Sequence, residues 1–220
     1  MTNNIPKCLV PIHGIPLLAY WLKILDRLGV TEILINLHYL SEKVIEFVSS
    51  SPYKNKIILS EEKELIGTGG TLVTNRNFWQ GQKTLVIHAD NLCLSNLKGL
   101  ISRHKNRLPH IDATLLLFRT PNPKSCGVVT IDPDGIITGF YEKVENPPTN
   151  LASGAIFLFA ENVYDKYFRT LMMNTHYEIS IDIAPKLVGK MQGWVVDDYY
   201  IDIGSPENYH NANIKTFNSS

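Results

Sequence analysis

With 220 residues, 21 basic and 21 acidic side chains and 44 % hydrophobic residues, the chain has a globular composition and no net charge at pH 7. That balance supplies no field to steer it toward nucleic acid or an anionic membrane, and a chain this long closes a core without disulfide or structural metal. No apolar run approaches a bilayer-spanning length, and the three cysteines, Cys8, Cys93 and Cys126, lack ligand spacing, so a cytoplasmic protein with reduced thiols is expected.

The chain opens on Met1–Ile12, MTNNIPKCLVPI, where Pro6 and Pro11 push their preceding residues toward extended backbone. Lys7 is a lone cation among apolar neighbours and, taken by itself, reads as a surface lysine. Pro16 suits the first position of a helix whose apolar stripe is Leu17, Leu18, Trp21, Leu22, Ile24, Leu25 and Leu28, with Gly29 as its stop. Thr31–Asn36 reads as a strand, Ser41 as the cap of a helix over Glu42–Val48, and Lys56–Leu59 as another strand. That alternation is the pattern of a parallel sheet covered by helices. Glu61–Thr71, EEKELIGTGGT, follows. Its glycines at 67, 69 and 70 open conformations barred to other residues and let a ligand approach the main chain, or they make a flexible turn.

Thr84–Ile87 is a short apolar run, expected to be a strand buried on both faces of a parallel sheet. It ends in His88-Ala89-Asp90-Asn91. Ligand crevices in open α/β sheets lie beyond the carboxyl ends of strands, which places Asp90 at the lip of one. A carboxylate facing phosphate there calls for a cation such as Mg²⁺, which takes one or two carboxylates plus phosphate oxygens. The competing role is a cap or turn aspartate. Ser95 is expected to cap a helix reaching Arg107, and Ala113–Phe118 to form a strand. Asp132-Pro133-Asp134-Gly135 turns a hairpin between Val128–Ile131 and Ile136–Tyr141, leaving Glu142 and Lys143 at its end with side chains on opposite faces. Ala152–Ala160 is a strand with Gly154 marking a close approach. Helices over Glu161–Arg169 and Ser180–Val188, strands over Trp194–Val196 and Tyr199–Ile203, and a last helix capped by Ser205 complete the chain. Asp202, between two isoleucines at a strand end, calls for a partner or a metal.

Assembled in this order, the segments resemble the sugar-1-phosphate nucleotidylyltransferases, most closely their mannose- and heptose-1-phosphate guanylyltransferase members. The resemblance runs from residue 2 to about residue 212. TNNIPKCLVPI is similar to the family's LTxxxPKxLxPI, which puts Lys7 on a phosphate-contacting lysine. EEKELIGTGGT resembles the base-binding loop, so Gly67, Thr68, Gly69 and Gly70 are expected against the nucleobase. Asp90 matches the first metal-binding aspartate, although Ala89 stands where glycine is usual. SCGVV, with Gly127, and FYEKVENPP resemble sugar-site segments, placing Glu142 on sugar hydroxyls and Lys143 on the sugar phosphate. NLASGAIFLF brings Asn150 and Gly154 to the sugar pocket. YIDIGSPENYHNA resembles WxDIGTPExYxxA, which makes Asp202 the second metal ligand.

The resemblance implies a Rossmann-like α/β fold with a mixed, mostly parallel sheet and helices on both faces. It implies one domain, with a nucleotide-binding half over 1–119 and a sugar-binding half over 120–220. The reaction joins a nucleoside triphosphate and a sugar 1-phosphate with Mg²⁺, making nucleotide-sugar for polysaccharide synthesis, without nucleic acid or membrane. The family's GGxGTRL loop and first central strand precede the point where this sequence begins, so poor turnover by these 220 residues is expected. An upstream start, a truncated nucleotide-sugar-binding relative, or a homo-oligomer whose partner donates the strand would each account for it. A nucleotide-sugar-dependent glycosyltransferase would want DxD, but Leu92 occupies its third position. Hydrolase motifs GxSxG and HExxH do not occur.

Overall fold

The computed structural model describes residues 4–215, so residues 1–3 of the opening segment lie outside the described residues. In chain order the first elements are β1 (Pro11–Ile12), β2 (Ile15–Pro16), α1 (Leu17–Arg27), β3 (Ile33–Leu37), α2 (Ser41–Ser50) and β4 (Ile57–Glu61). There follow α3 (Gly67–Thr74), α4 (Arg76–Trp79), β5 (Thr84–Ile87), β6 (Asn91–Cys93), α5 (Lys98–Lys105), β7 (Ala113–Arg119), β8 (Gly127–Ile131) and β9 (Ile137–Glu142). The chain ends with β10 (Leu151–Phe159), β11 (Met191–Val195), β12 (Tyr200–Asp202) and α6 (Pro206–Ile214). This is the expected Rossmann-like α/β fold, and by contacts it divides into two compact units that interleave along the sequence.

The smaller unit comprises Met1–Glu64, His88–Ser95 and Asp198–Ser220. Its β3 and β4 pair in parallel, Ile33 opposite Ile57, across the helix α2 that connects them. The apolar stripe of α1 explains the packing: Leu18 and Leu22 meet Val44 and Val48 of α2 over Ile33, Ile35 and Ile57. A second cluster joins Val10, Ile12 and Leu17 to Leu92, Ile203 and Ala212. Gly29, at φ +76°, ends the helical run as expected.

The larger unit comprises Leu65–Ile87 and Asn96–Asp197. Its six-stranded sheet runs β11-β7-β10-β8-β9, with β5 also on β10. Strand β11 is parallel to β7, while β10 is antiparallel to β5, β7 and β8, and β9 is antiparallel to β8. Strands β5, β7, β8 and β11 therefore share one direction and β9 and β10 oppose them, which makes the sheet mixed. Trp79, Phe157, Phe159 and Phe168 fill its core with Leu115, Leu117 and Val129.

Several local expectations need correction. Strand β5 is half-buried at all four positions and antiparallel to its partner, not a doubly buried strand in a parallel ladder. A short apolar run carries no period that separates the two cases. Lys7–Leu9 is a 3₁₀ turn rather than extended chain, closed by Leu9 N–H donating to Pro6 O at 2.9 Å. Ser95 is buried and does not cap α5. Asn96 does that work, its Oδ1 accepting from Lys98 N at 3.1 Å. The helix expected over Glu161–Arg169 is a π-turn at Tyr164–Phe168, and the one over Ser180–Val188 is a π-turn followed by a 3₁₀ turn.

Candidate functional site

In the smaller unit, three residues far apart in sequence meet because β6 and β12 pair antiparallel, Asn91 opposite Asp202. Ile203 N–H donates to Asp90 O at 3.1 Å, so the ladder's end sets Asp90 beside Asp202. Trp21 Nε1–H donates to Asn91 O at 2.8 Å and ties this ladder to α1. The 3₁₀ turn brings Lys7 to the same place, its Nζ 3.7 Å from Asp90 Oδ2. Asp202 is exposed, yet its carboxyl is raised above the usual range, first by desolvation and next by the Asp90 charge. Lys7, the Gly204 amide and His88 pull it back. Beside Lys7, burial pushes the Cys8 thiol up to about 11 and keeps it neutral.

Two carboxylates crowding each other next to a lysine form a donor set that a divalent cation would relieve. Among the described residues no group of three or more acidic, His or Cys side chains could hold a metal. A cation here would therefore take two carboxylates and complete its shell with water or phosphate oxygens, the habit of Mg²⁺. The residues present fit the group.

In the larger unit, Gly67–Gly70 forms the first turn of α3. Gly67 (φ +73°) leaves no room for a side chain, since a Cβ there would lie 2.4 Å from Tyr177 O. Gly69 and Gly70 N–H groups both donate to Tyr177 O, at 2.7 and 3.1 Å. The Glu178 carboxylate accepts from Thr68 Oγ1 at 2.7 Å and from Thr68 N at 3.3 Å. The chain's own segment Tyr177–Glu178 is thus what approaches this glycine-rich main chain. That segment follows more than a hundred residues later, and no local pattern links it to the glycines.

The remaining site residues lie along strands β8, β9 and β10 of the larger sheet. Gly127 pairs with Glu142, and a Cβ on Gly127 would lie 2.5 Å from Glu142 Oε2, so the glycine seats the carboxylate. Lys143 takes a left-handed backbone (φ 47°), donates its N–H to Cys126 O at 3.2 Å, and holds Nζ 3.8 Å from Glu142 Oε1. Asn150 leads into β10. Gly154 lies within β10 beside Ala155, whose positive φ marks an irregularity in the pairing with β7. Arg119, which the sequence reading passed over, ends β7 here and donates from Nη1 to Asn150 Oδ1 at 3.2 Å. The structure thus brings Lys7, Asp90 and Asp202 together in one unit. Gly67–Gly70 and the Glu142 group occupy separate places in the other.

Comparisons with known proteins place the whole chain among nucleotidyl transferases. The chain is 26 % identical over 214 residues to a mannose-1-phosphate guanylyltransferase of Mycobacterium tuberculosis, covering 95 % of this chain and 58 % of that protein. It is 27 % identical over 208 residues to a D-glycero-alpha-D-manno-heptose 1-phosphate guanylyltransferase of Campylobacter jejuni, covering 94 % and 89 %. Among solved structures, HddC from Yersinia pseudotuberculosis complexed with GMP-PN superposes with a TM-score of 0.78 at 25 % identity, over 97 % of this chain and 91 % of that one. The chain spans about half the length of several curated relatives, 58 % of the mycobacterial protein and 50 % of two bifunctional proteins from methanogens. The family description "Nucleotidyl transferase" matches residues 1–219, and this chain belongs to that family.

Proposed function

We propose that the chain transfers a nucleotidyl group. An oxygen of a sugar 1-phosphate attacks the α-phosphorus of a nucleoside triphosphate, a nucleotide-sugar forms, and pyrophosphate leaves. The observation that carries this reading is the convergence of Asp90, Asp202 and Lys7 where β6 meets β12. Asp90 and Asp202 are the residues that would hold Mg²⁺, and the chemistry it supplies when bound is charge neutralisation at the α-phosphate. Lys7, exposed and only loosely paired at 3.7 Å, is free to turn from Asp90 to a phosphate oxygen. The attacking phosphate is already ionised, so no general base is needed. The protein's task is to position two anions and reduce their repulsion.

Gly67, Thr68, Gly69 and Gly70 serve the base. Glu142 serves the sugar hydroxyls with Gly127, Asn150 and Gly154, and Lys143 serves the sugar phosphate. Guanine and a mannose- or heptose-class sugar are favoured by the names of the relatives and of the GMP-PN-bound neighbour. The proposed setting is cytoplasmic nucleotide-sugar supply for polysaccharide.

The test supplies GTP, Mg²⁺ and mannose 1-phosphate and measures nucleotide-sugar formed and pyrophosphate released. Asp202→Asn and Asp90→Asn should each lower the rate by about a hundredfold or more, as expected when one partner of a charge-stabilising pair is lost. The same variants should abolish the Mg²⁺ dependence of GTP binding. A wild-type chain that binds neither substrate, or an Asp202→Asn variant equal to it, would refute the assignment.

A further inference from the structure

Strand β4 of the smaller unit pairs with β3 on one side only. Glu62 N–H donates to Leu37 O at 2.8 Å, and main-chain groups alternate along a strand. Ile58 and Ser60 therefore turn their N–H and C=O to β3, while Ile57, Leu59 and Glu61 turn theirs outward. Ile57 N–H is spent on Lys54 O. Among the described residues the outward N–H groups of Leu59 and Glu61 meet no backbone partner.

Proteins usually blunt such an edge with proline, a bulge or a charge at its centre. The sequence of β4, IILSE, has none of these, and Ile58 and Leu59 are 45 % and 36 % exposed. Its charges stand at the two ends and have opposite sign. Lys54 and Lys56 precede the strand, and Glu61, Glu62 and Glu64 close or follow it. Lys56 pairs with Asp26 at 2.6 Å, whereas Lys54 forms no ion pair among the described residues.

We propose that this edge is a homodimer interface, on which β4 of a second copy pairs antiparallel about a two-fold axis at Leu59. An antiparallel ladder sets outward-turned residues opposite one another, so odd-numbered residues must face odd-numbered ones. With Leu59 opposite its own copy, the two leucines exchange both main-chain hydrogen bonds, and each Glu61 N–H donates to Ile57 O of the second copy. The two Leu59 side chains meet on one face, and the two Ile58 side chains meet diagonally on the other. Lys56 then faces Glu62, and Lys54 faces Glu64, at both ends of the pairing. Sliding the strands by two residues in either direction leaves a single lysine–glutamate row at each end. The occupant is a second copy because only an antiparallel repeat of this same segment meets every end charge with its opposite. A strand of five residues makes a small interface, so the association is weak and concentration-dependent. The inference does not depend on the nucleotidyl-transfer reading.

Sedimentation velocity on the whole chain, over about 1 to 100 µM, covers the range expected of so small an interface. The wild type should pass from monomer to dimer across that series and form nothing larger. Leu59→Lys, which sets two cations against each other on the axis, should weaken dimerisation tenfold or more without lowering the melting temperature. Lys54→Glu/Lys56→Glu and Glu62→Lys/Glu64→Lys should each be monomeric alone, and an equimolar mixture of the two should dimerise. A wild type that stays monomeric throughout overturns the inference. So does a wild-type dimer that Leu59→Lys leaves intact, or a mixture of the charge variants that stays monomeric while both are folded.

Discussion

Two carboxylates at the candidate sites owe their positions to glycines. A Cβ on Gly127 would sit 2.5 Å from Glu142 Oε2, and one on Gly204 would sit 2.9 Å from Asp202 Oδ2. Space for the anion, rather than backbone freedom, is the reason for the glycine in SCGVV and in DIGSPE. At this scale Asp90 and Asp202 were legible, because an acid at the end of an apolar strand has few inexpensive roles. Arg119 was not, since a strand-terminal arginine is usually solvated and its hydrogen bond to Asn150 exists only once the strands pair. His104 was equally silent. It is 2 % exposed, its Nδ1 lies 2.9 Å from Thr114 Oγ1, and its Nε2 is buried without a hydrogen-bond partner among the described residues. Desolvation by burial, helped by the Arg107 charge, lowers its pKa from 6.5 to about 4. Both folded and unfolded chains carry it neutral at pH 7. Between pH 6.5 and about 4 the unfolded chain gains a proton that the folded one refuses, so stability is lost as pH falls, by roughly 3 kcal/mol in full. Urea unfolding across that window should show the loss, and His104→Gln should flatten it.

Element-scale reading succeeded where chemistry is local. The Asp132–Gly135 turn forms as expected, with Gly135 at φ +78° and Asp132 Oδ1 accepting from Asp134 and Ile136 N–H. Ser205 caps α6 by accepting from Asn208 N at 3.1 Å. It failed where a distant segment decides. Sequence alone left the GTGG stretch between ligand loop and flexible turn, and in the fold it is a helix start clamped by Tyr177 and Glu178. Gly67→Ala should therefore destabilise on the order of 2–4 kcal/mol, combining left-handed strain with a clash against backbone. Gly81→Ala is the control: its φ is +75° but nothing lies within 4 Å of the added Cβ, so only the strain of about 1–2 kcal/mol applies. Chemical denaturation of the two variants compares them directly, and equal losses would mean the Tyr177 contact yields without cost.

For the molecule as a whole, the smaller unit is assembled from three stretches that the larger unit's residues interrupt. Its apolar cluster needs Ile203 and Ala212 from the last stretch to cover Val10, Ile12, Leu17 and Leu92 from the first two. Truncation after Asp197 removes β12 and α6, and should leave the Asn91–Cys93 amides fast in hydrogen exchange and abolish Mg²⁺-dependent GTP binding. Protection unchanged at those amides would show that β6 is held by other contacts. The β6–β12 pairing has a further consequence in time. Asp90 leaves the ribosome long before its partner strand is made, and at typical elongation speeds the delay is about ten seconds. For that interval the nascent chain carries greasy surface with nothing to cover it, so this protein is expected to draw on holding chaperones during translation and to be vulnerable to any stall before β12 and α6 are made.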